Sequence, residues 1–463
     1  MVAFLNWVVL FVYGLAMFVI SPTARGWNRE EQFFQGRTRD SRETSILFLT
    51  SSVLIGWIFA KSVQNAADLG QAYGLPGGVA YAAYWLAFPV AGVLLYRLRG
   101  QGYRSIHDFL EDRFGREAIW LFSLIIGIRL WNEIWSNTIV VAQYFGPHGS
   151  PGYFAATWAA TGLVLLYVLK GGVRSSIVTD VVQMMLAAAI LVIIMAVILP
   201  QGRVREMAAS GTWTLSGGVD LILVALLQVW SYPFHDPVMT DRAFITDRKV
   251  MLKAFALAGF FGVLFILLFS FVGIYNRAAG IGGNSTLATA AALGLPVMII
   301  MNLMMITSAT STMDSAFASS GKLISVDLFP GTRLDRICLA RWAMVALGIV
   351  GNAMVHAGPS ILSATTVSGT MVIGFTPVFL LAGWKRPGPW SYYVSVGTGL
   401  AMGLSLALGL VPYRIGPGKY GPLLWVNLVG VGLCFAGYLL MAALKPSQEV
   451  KAVPRGLPAS QGV

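Results

Sequence analysis

Charged residues are scarce in this sequence. Asp, Glu, Lys and Arg make up 11% of its 463 residues, about half of what a soluble domain carries. Hydrophobic residues make up 56%, and apolar runs of about 18 residues or more recur along the chain, as is typical of membrane-spanning helices. The composition excludes an ordinary soluble protein and predicts an all-α polytopic membrane protein.

Cysteine and histidine are also rare, with two and four residues respectively. Cys338 and Cys434 provide neither a disulfide framework nor a zinc-binding spacing. The histidines fall in different regions, and no nucleophile or metal constellation accompanies them. The sequence also lacks the filter motif of a channel. These absences argue against an enzyme and favour a transporter.

The apolar runs predict about 13 transmembrane helices. A leading helix covers roughly 3–21; it lacks the basic start and cleavage site of a signal peptide, so we expect it to be retained. Twelve further helices, which we number 1 to 12, follow it. Their predicted ranges are 45–72, 76–97, 117–146, 152–169, 174–200, 217–236, 249–276, 290–321, 335–356, 360–383, 389–411 and 421–443.

The net charge of +12 is divided unevenly between the predicted loops. Of the 32 Lys and Arg, 25 lie in alternate loops and the C-terminal tail, and only five lie in the opposite loops. Cytoplasmic loops retain such an excess of positive charge. The pattern therefore predicts an outside N-terminus and a cytoplasmic C-terminus, and it indicates the lipid bilayer as partner rather than nucleic acid. The basic loops are 22–44, 97–116, 170–174, 237–253, 322–341 and 384–387.

Four ionisable residues lie deep in predicted helices: Lys61, Arg129, Glu133 and Asp314. Inserting each charged side chain at the centre of a membrane helix costs roughly 2.5–3.5 kcal/mol. The two positive and two negative charges cancel if all four side chains face the same interior of the helix bundle. Arg129 and Glu133 are four residues apart and so lie on one helix face. The residues indicate either a polar cavity or a structural ion-pair network.

Two helices carry signals of interruption. Helix 1 has Gly56 followed by the polar run KSVQN at 61–65, and helix 6 contains Pro233 and Pro237. Proline removes a backbone donor and breaks or bends a helix. Unwound backbone is tolerated at membrane depth only where it lines a buried cavity, and such pairs of interrupted helices point to a transporter site. Simple hinge or packing kinks are the alternative.

Helix 8 has a face of hydroxyl groups. Ser308, Ser311, Thr312 and Ser315 recur at three- and four-residue spacing and so share this face. Hydroxyls serve as helix–helix contacts in membranes, and their oxygens also suit a hard cation such as Na⁺. The pattern alone leaves both interpretations open.

Four segments of the sequence are characteristic: GGVRSSIVTDVVQMM (171–185), MTDRAFITDRK (239–249), STMDSAFASSGKLISVDLF (311–329) and FTPVFLLAGWKR (375–386). Together they resemble the sodium:solute symporter family of bacterial proline and sugar symporters. The resemblance implies a five-plus-five inverted-repeat (LeuT-type) fold made by helices 1–10. It divides the chain into a leading helix and loop (1–44), a ten-helix transport core (45–383), two trailing helices (384–443) and a disordered tail (444–463).

The resemblance also implies where the coupling ion and the solute bind. The Na⁺ ligands would be the hydroxyls of Ser311 and Thr312 with the backbone carbonyls of Ser308, Ile55 and Ile58. Asp180 matches the family aspartate on the inner sodium path, and we place Asp314 on the same path. Tyr232 falls where the family has an aromatic inner gate. We expect the solute to contact Lys61, Ser62, Gln64, Asn65, Glu133 and Tyr232.

Trp57 and Lys61 depart from the family pattern, which has small or hydroxyl residues in the middle of helix 1. The Lys61 ammonium has four possible roles: binding a solute carboxylate, titrating for proton coupling, occupying the cation site, or pairing with Glu133 or Asp314. The hydroxyls of Ser311 and Thr312 are retained, which favours a site that binds Na⁺ over one in which the Lys61 ammonium takes the place of the ion.

These features predict a secondary symporter of the bacterial cytoplasmic membrane that couples Na⁺ to import by alternating access. We expect a small organic solute, carboxylate-bearing or an amino acid, and no obligatory protein partner. The alternatives are a proton-coupled or cation-independent transporter that uses Lys61, and a solute sensor that does not transport.

Overall fold

The computed structural model describes residues 2–38, 40, 42–201, 203–357, 368–412 and 415–446. The predicted tail from residue 447 and the start of predicted helix 10, at 360–367, lie outside these residues. The α-helices, in chain order, are α1 (Val2–Ile20), α2 (Arg29–Gln35), α3 (Ile46–Ile55), α4 (Ala60–Tyr73), α5 (Leu75–Ala82), α6 (Ala87–Gly100), α7 (Ile106–Phe114), α8 (Arg116–Ala142), α9 (Pro151–Gly171), α10 (Val173–Ile198), α11 (Val204–Ala208), α12 (Val219–Gln228), α13 (Pro237–Arg242), α14 (Arg248–Ala278), α15 (Leu287–Ala292), α16 (Leu295–Lys322), α17 (Arg336–Ala353), α18 (Phe375–Leu380), α19 (Pro389–Ala407) and α20 (Gly421–Leu444).

The helices are those of a multi-pass membrane protein. Within the described ranges, nine helices are long and apolar enough to cross a membrane, and the bent pair α3 and α4 makes a tenth. The predicted spans at 217–236, 360–383 and 389–411 do not meet this criterion as single described helices. The predicted count of 13 therefore stays a prediction.

The first expected interruption separates α3 from α4. Residues 56–59 leave the helix between Ile55 and Ala60, and the two helices meet at 59°. The backbone nitrogen atoms of Trp57 and Ile58 donate to the carbonyl of Leu54 in a tight turn. The break places polar side chains of α4 inside the bundle, where Lys61 is fully buried.

The second interruption, in predicted helix 6, also forms. α12 ends at Gln228, a 3₁₀ turn covers Tyr232–His235, and α13 begins at Pro237. Asp236 stands at the N-cap of α13, where its carboxylate accepts hydrogen bonds from the backbone of Val238 and Met239. Aspartate is favoured at the N-cap and proline at the first helical position. The sequence therefore favours the start of a new helix immediately after the break.

α1 packs against the core through buried polar contacts, although most of its surface is exposed and apolar. The Tyr13 hydroxyl lies 2.7 Å from the Thr310 hydroxyl of α16, and Gln183 of α10 donates to it at 2.9 Å. Nearer the start of the helix, Asn6 donates to the carbonyl of Tyr144 and accepts from Asn302. The leading helix is thus tied to α16 at two levels.

α4 and α14 approach each other closely through glycine. A Cβ atom added to Gly273 would lie 1.7 Å from the carbonyl oxygen of Ala67, and one added to Gly70 would lie 2.3 Å from that of Ser270. Small residues allow such backbone contact between membrane helices. This contact fixes α4, the second half of the broken helix, against α14.

We therefore predict that Gly273→Ala destabilises the protein. The added methyl group forces the two helices apart, and overpacking of this kind costs about 1–3 kcal/mol. Thermal unfolding of the purified protein measures the effect. Gly162→Ala is the matched control because Gly162 of α9 faces open space. Equal melting temperatures for Gly273→Ala and wild type would contradict the prediction.

Candidate functional site

Four buried charges form a continuous cluster at the two helix breaks. The Lys61 ammonium donates to Glu133 Oε1 at 2.8 Å and to Asn132 Oδ1 at 3.1 Å. Arg129 pairs with the same Glu133 carboxylate and donates to Asp236 Oδ2 at 3.0 Å. All four charged residues are at most 2% exposed. Two positive and two negative charges alternate, so the cluster is neutral as a whole.

This cluster corrects part of the charge pairing expected from the sequence. The predicted Arg129–Glu133 pair forms, and Lys61 takes the partner that was one of its alternatives. Asp314, however, is not part of this cluster, and its place as the second negative charge is taken by Asp236. Asp236 belongs to the unwound part of predicted helix 6, so it links that break to α8.

Aromatic rings surround the cluster. Phe59 lies beneath both cations, with its ring centre 4.9 Å from Lys61 Nζ and 5.3 Å from Arg129 Cζ. Tyr232 lies 5.4 Å from Arg129 Cζ and packs edge-on against Trp57 at 5.6 Å and His235 at 4.7 Å. Within the described structure, Trp57 Nε1, Tyr232 Oη and His235 Nε2 are buried and have no hydrogen-bond partner. These atoms offer polar contacts inside an aromatic wall.

The other residues of α4 that were predicted to bind the solute make hydrogen bonds to two different sets of side chains. Ser62 and Asn65 both hydrogen-bond to the Tyr81 hydroxyl, at 3.2 Å each. Gln64 instead donates to Asp68 at 2.8 Å and to Ser285 at 3.0 Å. The structure thus places Lys61 and Glu133 together, with Tyr232 near them, while Gln64 faces the segment before α15.

That segment forms a lid over α4. Ser285 donates to Asp68 Oδ1 at 2.5 Å, and the Thr286 hydroxyl donates to Gln64 Oε1 at 2.6 Å. Asn284 donates to Gln143 at the end of α8 at 3.0 Å. These side-chain bonds tie the segment to α4 and to the end of α8 at one end of the bundle.

At the other end, residues from four of the predicted basic loops line a cavity of about 650 Å³. We call this the basic end. Lys322 bridges Asp241 at 2.7 Å and Asp327 at 3.1 Å beside the cavity. Burial lowers the pKa of His107, which lies 3.3 Å from the Ser123 hydroxyl. The cavity reaches Ile126, about one helical turn before Arg129, and Pro237, which follows Asp236 in the sequence.

The predicted sodium ligands converge where α16 meets the first break. The Ser311 hydroxyl lies 3.3 Å from the Ile55 carbonyl oxygen and 3.0 Å from that of Ser308. The Thr312 hydroxyl lies 3.1 Å from the same Ser308 oxygen. Four oxygen atoms from two helices therefore meet, a donor set that suits a hard cation. Ile58, the fifth predicted ligand, lies in the turn beside them.

Asp314 lies one helical turn beyond Ser311 on α16, and Asp180 of α10 lies near it, because the Ser176 hydroxyl contacts both carboxylates. Asp314 accepts hydrogen bonds from the hydroxyls of Ser176 at 2.7 Å, Tyr167 at 2.7 Å and Thr179 at 3.1 Å. Arg242 donates to Asp180 Oδ2 at 3.1 Å. Both carboxylates are fully buried, and their place on an ion path stays a prediction.

A family profile described as the sodium:solute symporter family matches residues 45–373. The chain belongs to this family. The matched residues include both broken helices and the hydroxyl face of α16, whereas α1 precedes them. No curated protein matches the chain in sequence.

Solved transporter structures share the fold. A Na⁺-coupled sialic acid symporter in a substrate-bound outward-open state aligns with a TM-score of 0.72 at 16% identity, covering 96% of this chain and 99% of the other. Mhp1, a nucleobase-cation-symport-1 family transporter in a closed conformation with bromovinylhydantoin bound, aligns with a TM-score of 0.54 at 14% identity, covering 92% and 95%. The inward-facing conformation of Mhp1 aligns with a TM-score of 0.52 at 13% identity, covering 88% of this chain and 94% of the other. These likenesses show the fold, and membership of the sodium:solute symporter family makes the chain a transporter of the cation-coupled symporter type.

Sequence reasoning missed two residues of the site. Asp236 stands between two prolines, and its position immediately before Pro237 is a recognisable N-cap signal. Arg242 counts among the basic residues of loop 237–253 in the charge pattern, but the structure buries it to 3% exposure. Nothing local distinguishes it from the exposed arginines of that loop.

The neutrality of the charge cluster yields a testable order of stabilities. Lys61→Met leaves two carboxylates with only Arg129, and Glu133→Gln leaves two cations with only Asp236. Breaking a buried pair in this way costs about 3–5 kcal/mol, whereas removing both partners costs less. We predict that Lys61→Met/Glu133→Gln unfolds at a higher temperature than either single variant.

Thermal unfolding of the four purified proteins tests this order. Ser62→Ala is the control, because it changes a buried neighbour on α4 without changing charge. A double variant less stable than both single variants would show that Lys61 and Glu133 do not neutralise each other.

Proposed function

We propose that this symporter uses Na⁺ to import a small organic solute by alternating access. The observation that carries the proposal is the convergence of Ser311, Thr312 and the carbonyls of Ile55 and Ser308 at the first helix break. An ion bound there holds α16 against the break, so it stabilises the arrangement of α3 and α4 that the solute meets. Binding of the ion then raises the affinity for the solute, and binding of the solute raises the affinity for the ion by the same factor, because linkage is reciprocal.

In this proposal, helices 1–10 of the sequence form a five-plus-five inverted-repeat core, with α1 leading and two helices trailing. The basic end faces the cytoplasm, in keeping with the positive-inside rule. The lid of Asn284, Ser285 and Thr286 closes the outside, and the cavity at the basic end is the exit route. Asp180 and Asp314 lie on the inward path of the ion.

We propose further that the solute carries no net charge and is a zwitterion such as an amino acid. The cluster of Lys61, Glu133, Arg129 and Asp236 is already neutral. A simple anion would add a buried charge without a partner, which is costly. A zwitterion instead exchanges with the Lys61–Glu133 pair, its carboxylate meeting Lys61 and its ammonium group meeting Glu133.

Sodium-dependent thermal stabilisation of the purified protein tests the ion. We expect Na⁺, compared with choline at equal ionic strength, to raise the melting temperature of the wild type, because a ligand at 100 times its Kd stabilises by about 2.7 kcal/mol. Ser311→Ala/Thr312→Ala loses the effect. Ser319→Ala/Ser320→Ala, which removes two buried hydroxyls further along α16, keeps it. A wild type indifferent to Na⁺ but stabilised by protons would instead support proton coupling.

A series of small solutes of matched size tests the charge of the cargo. In saturating Na⁺, we expect neutral zwitterionic amino acids to add stabilisation, whereas the matching carboxylates without an amino group add none. Uptake of radiolabelled binders into proteoliposomes under a sodium gradient then separates a transporter from a sensor. Stabilisation and uptake of monocarboxylates alone would overturn the zwitterion assignment.

A further inference from the structure

A groove of about 510 Å³ lies at the basic end of the protein, apart from the cavity described above. Its walls are the start of α8, the start of α17, the π-helical turn Leu323–Leu328 that follows α16, and the loop after this turn. Phe329 and Leu334 in its wall are 49% and 65% exposed, so the groove is open at the protein surface. We call it the α8–α17 groove.

The groove is apolar except for one cation. Arg116 is the only charged residue among the nine described residues that line it. Arg116 is exposed, and its guanidinium has no hydrogen-bond or ion-pair partner in the described part of the chain. Asp327 and Asp335 nearby in sequence each pair with another basic residue, and Glu117 lies roughly 100° around α8 from Arg116. An anion in the groove therefore meets a positive charge that is not already neutralised.

An exposed apolar strip continues from Arg116 along α8. Trp120, Leu124 and Ile128 follow Arg116 at intervals of four residues, so they lie along one side of the helix, and all three are exposed. The strip runs beside α17, because Trp131 of α8 donates to a backbone carbonyl of α17 at 3.1 Å. A cation followed by an apolar strip is complementary to a lipid, which has a charged headgroup followed by an acyl chain.

Aromatic side chains lie at the level of the groove. Phe329 packs edge-on against Trp120 with a distance of 6.2 Å between ring centres, and Trp342 of α17 is 68% exposed. Exposed tryptophans of membrane proteins concentrate where headgroups meet the hydrocarbon of the bilayer. The groove is therefore placed at the depth of the lipid headgroups.

We propose that the α8–α17 groove binds an anionic phospholipid from the leaflet at the basic end. The phosphate lies against Arg116, and one acyl chain follows Trp120, Leu124 and Ile128. Basic pockets between membrane helices bind acidic headgroups in this way. A zwitterionic phospholipid fits less well because it brings a second cation towards Arg116, and a free phosphate lacks the chain that the apolar strip receives.

The π-helical turn connects this groove to the cavity at the basic end. Ile324 and Leu328 of the turn line the groove, whereas Leu323, Val326 and Asp327 line the cavity. Asp327 also takes part in the salt bridge at the end of α16. Turns of this kind are frequent at functional sites. A lipid packed against one side of the turn holds the wall of the cavity on its other side.

A lipid titration of the purified, delipidated full-length protein in neutral detergent tests the proposal. Dioctanoyl phosphatidylglycerol, dioctanoyl phosphatidylcholine and glycerol phosphate are added separately, and thermal unfolding is the readout. Choline replaces sodium throughout, so the result does not depend on the proposed coupling ion. We expect phosphatidylglycerol to raise the melting temperature by more than either of the other two. Equal stabilisation by phosphatidylcholine, or by glycerol phosphate as a free anion, overturns the proposal.

Two variants then locate the lipid. Arg116→Gln raises the phosphatidylglycerol concentration for half-maximal stabilisation by about fivefold, the loss that corresponds to one basic residue at a membrane surface. Arg97→Gln is its control, because Arg97 is exposed at the end of α6 outside the groove. Gly331→Trp fills the groove and abolishes the response. A Cβ atom at Gly331 meets no atom within 4 Å, so the indole enters without displacing the backbone.

Gly432→Trp is the control for the added indole, because Gly432 of α20 is equally open and lies outside the groove. A wild-type response to phosphatidylglycerol in either Arg116→Gln or Gly331→Trp overturns the proposal. If Gly331→Trp does not fold, Arg116→Gln decides alone, since an exposed side chain without a partner can be replaced without loss of the fold.

Discussion

The pairing of charge inside a membrane protein is the constraint on which this structure depends. A lone ionised side chain among apolar helices is unstable, so each buried cation here is placed against a carboxylate. Lys61 reaches from α4 to Glu133 of α8, and Arg129 continues from there to Asp236 before α13. These contacts join both interrupted helices to one uninterrupted helix, so the polar interior and the tertiary arrangement of the helices have the same cause.

The helix breaks are tolerated because the freed backbone finds partners. At the second break the Asp236 carboxylate has two tasks: Oδ1 caps α13 while Oδ2 accepts from Arg129. At the first break, the Ile55 carbonyl receives a hydroxyl from α16. The freed backbone is thus satisfied by the break's own Asp236 at the second break and by Ser311 of α16 at the first, as backbone in hydrocarbon requires. The Ile55 carbonyl and the Ser311 hydroxyl are also among the proposed cation ligands.

The sequence predicted the parts of this site that have local signals. Prolines and a polar run marked the two breaks, and the spacing of hydroxyls marked the face of α16. The partner of Asp314 was not predictable in this way, because packing of α10 against α16 decides it, and Ser176 and Thr179 lie more than a hundred residues away. The burial of Arg242 was not predictable for the same reason. It depends on how the end of α13 packs against α10, and no periodic pattern in the loop sequence indicates that packing.

The leading helix α1 adds a connection between the surrounding lipid and α16, the helix that carries the proposed ion ligands. Much of α1 is covered by exposed apolar side chains such as Phe4, Val12 and Leu15, whereas Tyr13 holds Thr310, the residue immediately before Ser311. A helix in this position adjusts its tilt to the hydrophobic thickness of the bilayer. A change in the tilt of α1 would act through Tyr13 on Thr310, next to the hydroxyl face of α16, so bilayer thickness is a variable in any measurement of sodium binding.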